Sequence, residues 1–226
     1  MNARNGALVS LMCLAAVIAA PLATAAEGGW VDLFDGKTLD GWTIRSGRAT
    51  YRIEGDAIVG KTTEGSPNSF LCTDKDYGDF ELEFEVKVDD GLNSGVQIRS
   101  LVKGDRKDPK GRVYGPQCEI EKSPGQSGWV YGEAMGGGWM SEGPKKKGKN
   151  ELMKNDQWNT YRIMATGPRI QTWINGEQVE DLTHEKAFKS HPKGMIGLQV
   201  HGIGKKSGPF EVSWRKLRIR ELPAEK

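Results

Sequence analysis

The sequence predicts an all-β protein, a jelly-roll sandwich of two antiparallel sheets, on three observations. Thirty glycines and ten prolines break the 226-residue chain into short runs, the punctuation of a fold with many turns. Within those runs apolar and polar residues alternate, as they do in strands that bury one face. Helical periodicity is confined to a short candidate over 185–189. Strands with one apolar face each are stably packed as two stacked sheets.

Taken in order, residues 1–26 read as a secretory signal. Arg4 supplies the positive start, Ala7 to Ala20 an apolar stretch, and Ala23-Thr24-Ala25 a small-residue cleavage site. The stretch is too short to span a bilayer and nothing later could. Cys13 follows Leu11-Met12, a poor lipoprotein cleavage box, so a released chain, secreted or periplasmic, is expected. Residues 27–226 have the length of one domain. Glu81 to Val88 is the clearest strand, with Leu82, Phe84, Val86 and Val88 on one face and Glu81, Glu83, Glu85 and Lys87 on the other. Tyr161 to Ala165, Ile170 to Ile174, Gly194 to Val200 and Phe210 to Ile219 continue the series, and Asn175-Gly176 marks a two-residue hairpin turn. Gly125 to Gly148 is the longest stretch without a period, and its Trp129, Tyr131 and Trp139 mark it as a functional loop.

Charge is balanced, 32 basic against 30 acidic residues, which leaves no broad footprint for nucleic acid or anionic membrane. The Lys145-Lys146-Lys147 run with Lys149 reads as a solvated loop. Beyond the signal two cysteines remain, Cys72 and Cys118. They are either a disulfide or two buried thiols, and no Cys or His spacing fits zinc.

Three strands carry polar chemistry on one face. In Gly95-Val96-Gln97-Ile98-Arg99, Gln117-Cys118-Glu119-Ile120-Glu121 and Leu198-Gln199-Val200-His201, parity puts Gln97, Arg99, Gln117, Glu119, Glu121, Gln199 and His201 opposite Val96, Ile98, Cys118, Ile120, Leu198 and Val200. If these strands are neighbours, their sheet has a working face with acids, a base and amide donors. Glu119 and Glu121 stand about 6.5–7 Å apart along the strand; Glu81, Glu83 and Glu85 alternate in the same way without accompanying amides. The imidazole of His201 is a side chain suited to act as base or acid, whereas His184 and His191 read as surface residues. Arg99 can donate to a sugar oxygen or pair with an acid. Trp129, Tyr131 and Trp139 can stack on sugar faces.

The motifs Trp30-Val31-Asp32-Leu33-Phe34-Asp35-Gly36, Asn93-Ser94-Gly95-Val96-Gln97-Ile98-Arg99, Trp158-Asn159-Thr160-Tyr161, Trp173-Ile174-Asn175-Gly176 and Gly197-Leu198-Gln199-Val200-His201-Gly202, in that order, resemble the 3-keto-disaccharide hydrolase domain family over essentially the whole mature chain. The resemblance implies a concanavalin A-like fold and an enzyme that cleaves glycosides already oxidised at carbon 3. A ketone there acidifies the carbon 2 hydrogen, so that a base can remove it and expel the group on carbon 1, after which water adds. His201, Glu119, Glu121 and Arg99 are the expected catalytic groups, with Gln97, Gln117, Gln199, Asn93, Trp129, Tyr131 and Trp139 binding the sugar. After Gln117 the chain departs from the commoner family pattern, Glu121 being followed by Lys122-Ser123-Pro124, which implies an individual substrate-side loop. The expected partner is a carbohydrate. No cofactor is expected, although the carboxylates leave room for a hard cation such as calcium. Two other readings stand beside this one: a non-catalytic carbohydrate-binding module, and an ordinary glucanase using the paired acids.

Overall fold

The computed structural model describes residues 29–206 and 208–223, so the expected signal lies outside the described residues. Among these are fifteen strands and two short helices: β1 (Val31–Asp32), β2 (Trp42–Arg45), β3 (Thr50–Glu54), β4 (Ala57–Lys61), β5 (Ser69–Thr73), β6 (Phe80–Val88), β7 (Asn93–Val102), β8 (Val113–Glu121), β9 (Val130–Glu133), β10 (Gly138–Trp139), α1 (Gly143–Lys147), β11 (Asn159–Thr166), β12 (Arg169–Ile174), β13 (Glu177–Thr183), α2 (Glu185–Ser190), β14 (Met195–Val200) and β15 (Glu211–Glu221). They form two antiparallel sheets. The back sheet runs β13-β12-β11-β6-β15-β4-β3 with β1 beside β15, and the front sheet runs β10-β9-β8-β7-β14-β5-β2. This is the jelly-roll sandwich of the concanavalin A type. Among the described residues no helix is long and apolar enough to cross a membrane.

The alternation seen in the sequence builds the core. Leu82, Phe84, Val86 and Val88 of β6 meet Val96, Ile98, Cys118, Ile120, Leu198 and Val200 of the front sheet in one apolar cluster. Asn175 and Gly176 take the positive φ values, 52° and 88°, of the β12–β13 hairpin. On the outer face of the back sheet each alternating glutamate of β6 is neutralised: Glu81 by Arg162 and Arg220, Glu83 by Arg218, Glu85 by Arg215 and Lys216.

The front sheet is bent by a bulge. Between Gln97 and Leu101 three residues of β7 face two of β8, and between Gln97 and Ser100 two face one of β14. Arg99, at φ 48°, is the extra residue. Beyond it the β7–β8 hairpin arches over the outer face of its own sheet. Its loop is latched to the far edge, where Ser46 N–H donates to the Pro109 carbonyl at 2.8 Å and Ser46 Oγ to that of Gly111 at 3.0 Å. Beneath the arch lies a satellite apolar cluster of Phe70, Cys72, Val113 and Met195. Cys72 and Cys118 are therefore free, buried, and in different clusters.

Candidate functional site

The three polar strands are neighbours, in the order β8, β7, β14. Gly95 pairs with Glu119 on one side and Gln199 on the other, and Gln97 pairs with Gln117 and Gly197. Gly95 is a glycine for a steric reason. A Cβ there would lie 2.6 Å from the Gln117 side chain, which crosses over Gly95 to reach β14. Gln117 Nε2 donates to Glu119 Oε1 at 2.6 Å and to Gln199 Oε1 at 3.3 Å, while its own oxygen accepts from Gln97 Nε2 at 2.7 Å. Ser100 Oγ closes the chain on Gln97. Asn93 Nδ2 donates to the second Glu119 oxygen at 3.0 Å.

Glu119 is 6% exposed and its carboxylate is held by two carboxamides. Burial pushes its pKa from 4.5 up to about 7; the hydrogen bonds from Asn93 and Gln117 oppose the rise, and the charges of Glu121 and Glu133 add to it. Glu81 is the contrast. Burial pushes it up as well, but hydrogen bonds from Arg220 and Arg162 more than reverse the effect. A carboxyl poised near neutrality, with no guanidinium on its oxygens, is suited to taking or giving a proton. Gln199 Nε2 lies beside it, buried and without a hydrogen-bond partner, a donor aimed at something the protein does not itself provide.

Continuing the β14 register past Val200 brings His201 alongside Asn93. Its Nδ1 lies 2.8 Å from the Gly202 carbonyl. A carbonyl only accepts, so Nδ1 carries the proton and Nε2 is the atom left for proton transfer. Glu121 is turned toward the following loop, its Oε1 accepting the Gln126 N–H. Tyr131 pairs with Gln117 across the sheet, and its ring meets Trp139 edge to face with centroids 5.3 Å apart. This half-buried aromatic corner flanks the amide row.

Two expected residues are elsewhere. Arg99 has the parity of Gln97, but the bulge swings it to the rim of the sandwich, where it pairs with Asp79 at 2.7 Å, donates to the carbonyls of Gly78 and Gly167, and stacks on Phe188. It anchors the fold and does not reach the carboxylates. Trp129 is 2% exposed and packs beneath Gly143, where a Cβ would lie 2.1 Å from its indole nitrogen; it anchors the loop and offers no face to a sugar. The 125–148 stretch is correspondingly built from β9, β10 and α1, and the lysine run lies on α1. His191 is buried, not on the surface, and His184 caps α2 by accepting the Ala187 N–H at Nδ1.

Sequence reasoning missed Glu133, Arg112 and Asn68. The arch brings Arg112 into an ion pair with Glu133, and Asn68 joins that carboxylate to β14, donating to Glu133 Oε1 at 3.2 Å and accepting the Gly202 N–H at 2.9 Å. Glu133 shares parity with Tyr131 and was detectable in Val130-Tyr131-Gly132-Glu133; Arg112 and Asn68 reach the site only through tertiary curvature. Among the described residues no three His, Cys, Asp or Glu side chains converge to hold a metal.

A profile of the 3-keto-alpha-glucoside-1,2-lyase-like domain matches residues 29–220. The chain belongs to this family. No curated protein matches it. Among solved structures it is similar to a candidate glycosyl hydrolase from Parabacteroides distasonis, with TM-score 0.57 and 21% identity over 86% of this chain and 94% of that one. A second structure under the same description gives TM-score 0.57 and 22% identity over 85% and 99%. A Crh5 transglycosylase in complex with NAG gives TM-score 0.55 and 15% identity over 88% and 86%. At these identities the likeness is one of fold; the family supports a carbohydrate-active function.

Proposed function

We propose that the chain cleaves 3-keto-glycosides by elimination across carbons 1 and 2, followed by hydration. The observation that carries this reading is Glu119: a buried carboxyl at about 7, held by amides and flanked by an unpartnered donor. Glu119 as carboxylate takes the carbon 2 proton, and the electron pair left behind moves onto the ketone oxygen as an enolate. Gln199 Nε2 and the Arg112 guanidinium are the donors for that oxygen. Collapse of the enolate forms the carbon 1–carbon 2 double bond, restores the ketone and expels the aglycone oxygen, which takes the proton that Glu119 has just gained. Water then adds at carbon 1, giving its proton to the free lone pair of His201 Nε2, and that proton passes to carbon 2, giving the 3-keto sugar. Tyr131 stacks on the substrate, and Glu121 and Glu133 keep Glu119 basic. Relative to the sequence expectation, the base moves from His201 to Glu119, and Arg112 takes the place of Arg99.

The test is incubation with a disaccharide and with its 3-keto form, following release of the reducing sugar. Cleavage of the keto form alone supports the proposal. Cleavage of the parent sugar would favour an ordinary glucanase, and binding without cleavage of either would favour a carbohydrate-binding module. We also propose that the chain acts outside the cytoplasm after loss of residues 1–26. Mass determination of the chain recovered from the periplasm or medium tests this.

A further inference from the structure

A cavity of about 490 Å³ lies away from the carboxylates, between the β8–β10 edge of the front sheet and α2. Its walls include Tyr114, Met135, Trp139, Met140, Ala187 and His191. Tyr114 has the parity of Cys118 and Ile120, opposite that of Gln117 and Glu119, whereas Trp139 is in register with Tyr131 and Gln117, so the cavity lies at the β10 edge of the sheet, reached from the inner face by Tyr114 and from the outer face by Trp139. The volume is in the range of small-molecule sites.

Its buried end carries an unexplained group. His191 is 3% exposed and its Nε2 has no hydrogen-bond partner. The proton state of that atom follows from its neighbours. Ser190 Oγ lies 2.8 Å from His191 Nδ1 and 3.0 Å from the Ala187 carbonyl. The carbonyl can only accept, and in the arrangement that puts the single hydroxyl proton on it, Ser190 Oγ accepts from Nδ1–H. Nε2 therefore presents a lone pair, and burial lowers the ring's basicity and keeps it neutral. The ligand group that satisfies it is a donor, such as a hydroxyl, and not an anion. Lys103 is already engaged over the Tyr114 ring, 5.6 Å from its centroid, and Lys186 is exposed at the mouth. The apolar part of the wall is an indole, two thioethers and two alanine methyls, which suit the apolar face of a pyranose.

We propose that this cavity is a second saccharide site, which takes an uncharged sugar ring stacked on Trp139 with one hydroxyl donated to His191 Nε2. It would hold a neighbouring sugar of a longer glycan, or a separate chain, while the carboxylate face works. The proposal does not depend on the chemistry proposed for Glu119.

The test uses the full chain labelled with 13C at the methionine methyl groups and titrated with methyl α-D-glucopyranoside, an unoxidised sugar. The Met135 and Met140 methyl signals are expected to shift. His191→Asn retains a donor at the Nδ1 position and deletes Nε2, and should weaken the titration about tenfold, as loss of one buried hydrogen bond does. Met135→Trp fills the cavity and should abolish the Met140 shift while cleavage of a 3-keto-glycoside continues. Glu119→Gln should leave the titration unchanged. Failure of the protein to cleave any glycoside, with these shifts intact, would remove the proposed function and leave the second site standing. Absence of the shifts, their persistence in both cavity variants, or a response to sodium galacturonate but not to the neutral glycoside would overturn the proposal.

Discussion

Replacing Glu119 with Gln should make the protein more stable above neutral pH while removing its chemistry. The magnitude follows from the carboxyl itself, whose pKa stands near 4.5 in the unfolded chain and about 7 in the fold. Below pH 4.5 both states hold the proton and folding is indifferent to it. Between 4.5 and about 7 the unfolded chain ionises while the fold keeps its proton, so stability falls as pH rises; above about 7 both are ionised and the loss is complete. That gap corresponds to about 3 kcal/mol at pH 8. The carboxamide of Glu119→Gln is neutral at every pH and keeps the contact with Gln117 through its oxygen. Its NH2 group needs only a rotation of the Asn93 carboxamide to find an acceptor. Urea unfolding of both proteins at pH 4.5 and pH 8 measures the effect, and the difference between the two pH values cancels contributions from other groups. The variant should gain about 3 kcal/mol on wild type between pH 4.5 and pH 8. A gain of zero, or a variant destabilised equally at both, would refute the assignment of Glu119 as a carboxyl held near neutrality.

Three further outcomes are expected. The kcat/KM for a 3-keto-glycoside should rise with pH through about 7 and level off above it, because only the ionised Glu119 accepts the carbon 2 proton; a rate that falls over this range would contradict the base assignment. Arg99→Ala should cost about 3–5 kcal/mol in urea unfolding, since it strands the buried Asp79, while the folded fraction keeps its activity; loss of activity at full stability would return Arg99 to the site. Gly95→Ala puts a methyl group 2.6 Å from the Gln117 side chain and should lower kcat/KM by about tenfold or more by displacing that amide from Glu119, at a stability loss of about 1–3 kcal/mol; an unchanged rate would show that the amide relay is dispensable.

The strands and their faces were legible because a period of two is a local property, and it placed Gln97, Gln117, Glu119 and Gln199 together as soon as the three strands were neighbours. The same rule failed at Arg99. One extra residue in β7 reverses parity beyond Ile98, and nothing in Ile98-Arg99-Ser100 announces a bulge, since no glycine marks the positive φ. Alternation also could not separate Glu119 from Glu81. What distinguishes them is the partner across the sheet, amides in one case and guanidinium groups in the other, and partner strands are a matter of topology. Arg112 and Asn68 were illegible for the same reason, because they join the site through the arch of the hairpin that the bulge permits. Trp129 was misread because its burial depends on Gly143, in the helix that follows, leaving room for the indole.

The central claim is that Glu119 removes the carbon 2 hydrogen of a 3-keto sugar in the step that breaks the glycosidic bond. Its most direct test compares cleavage of a 3-keto-glycoside carrying hydrogen at carbon 2 with the same compound carrying deuterium there, under conditions where the chemical step limits the rate. The deuterated substrate should be cleaved several-fold more slowly, and Glu119→Gln should cleave neither. Equal rates for the two compounds, or unchanged cleavage by the Glu119→Gln protein, would contradict the account.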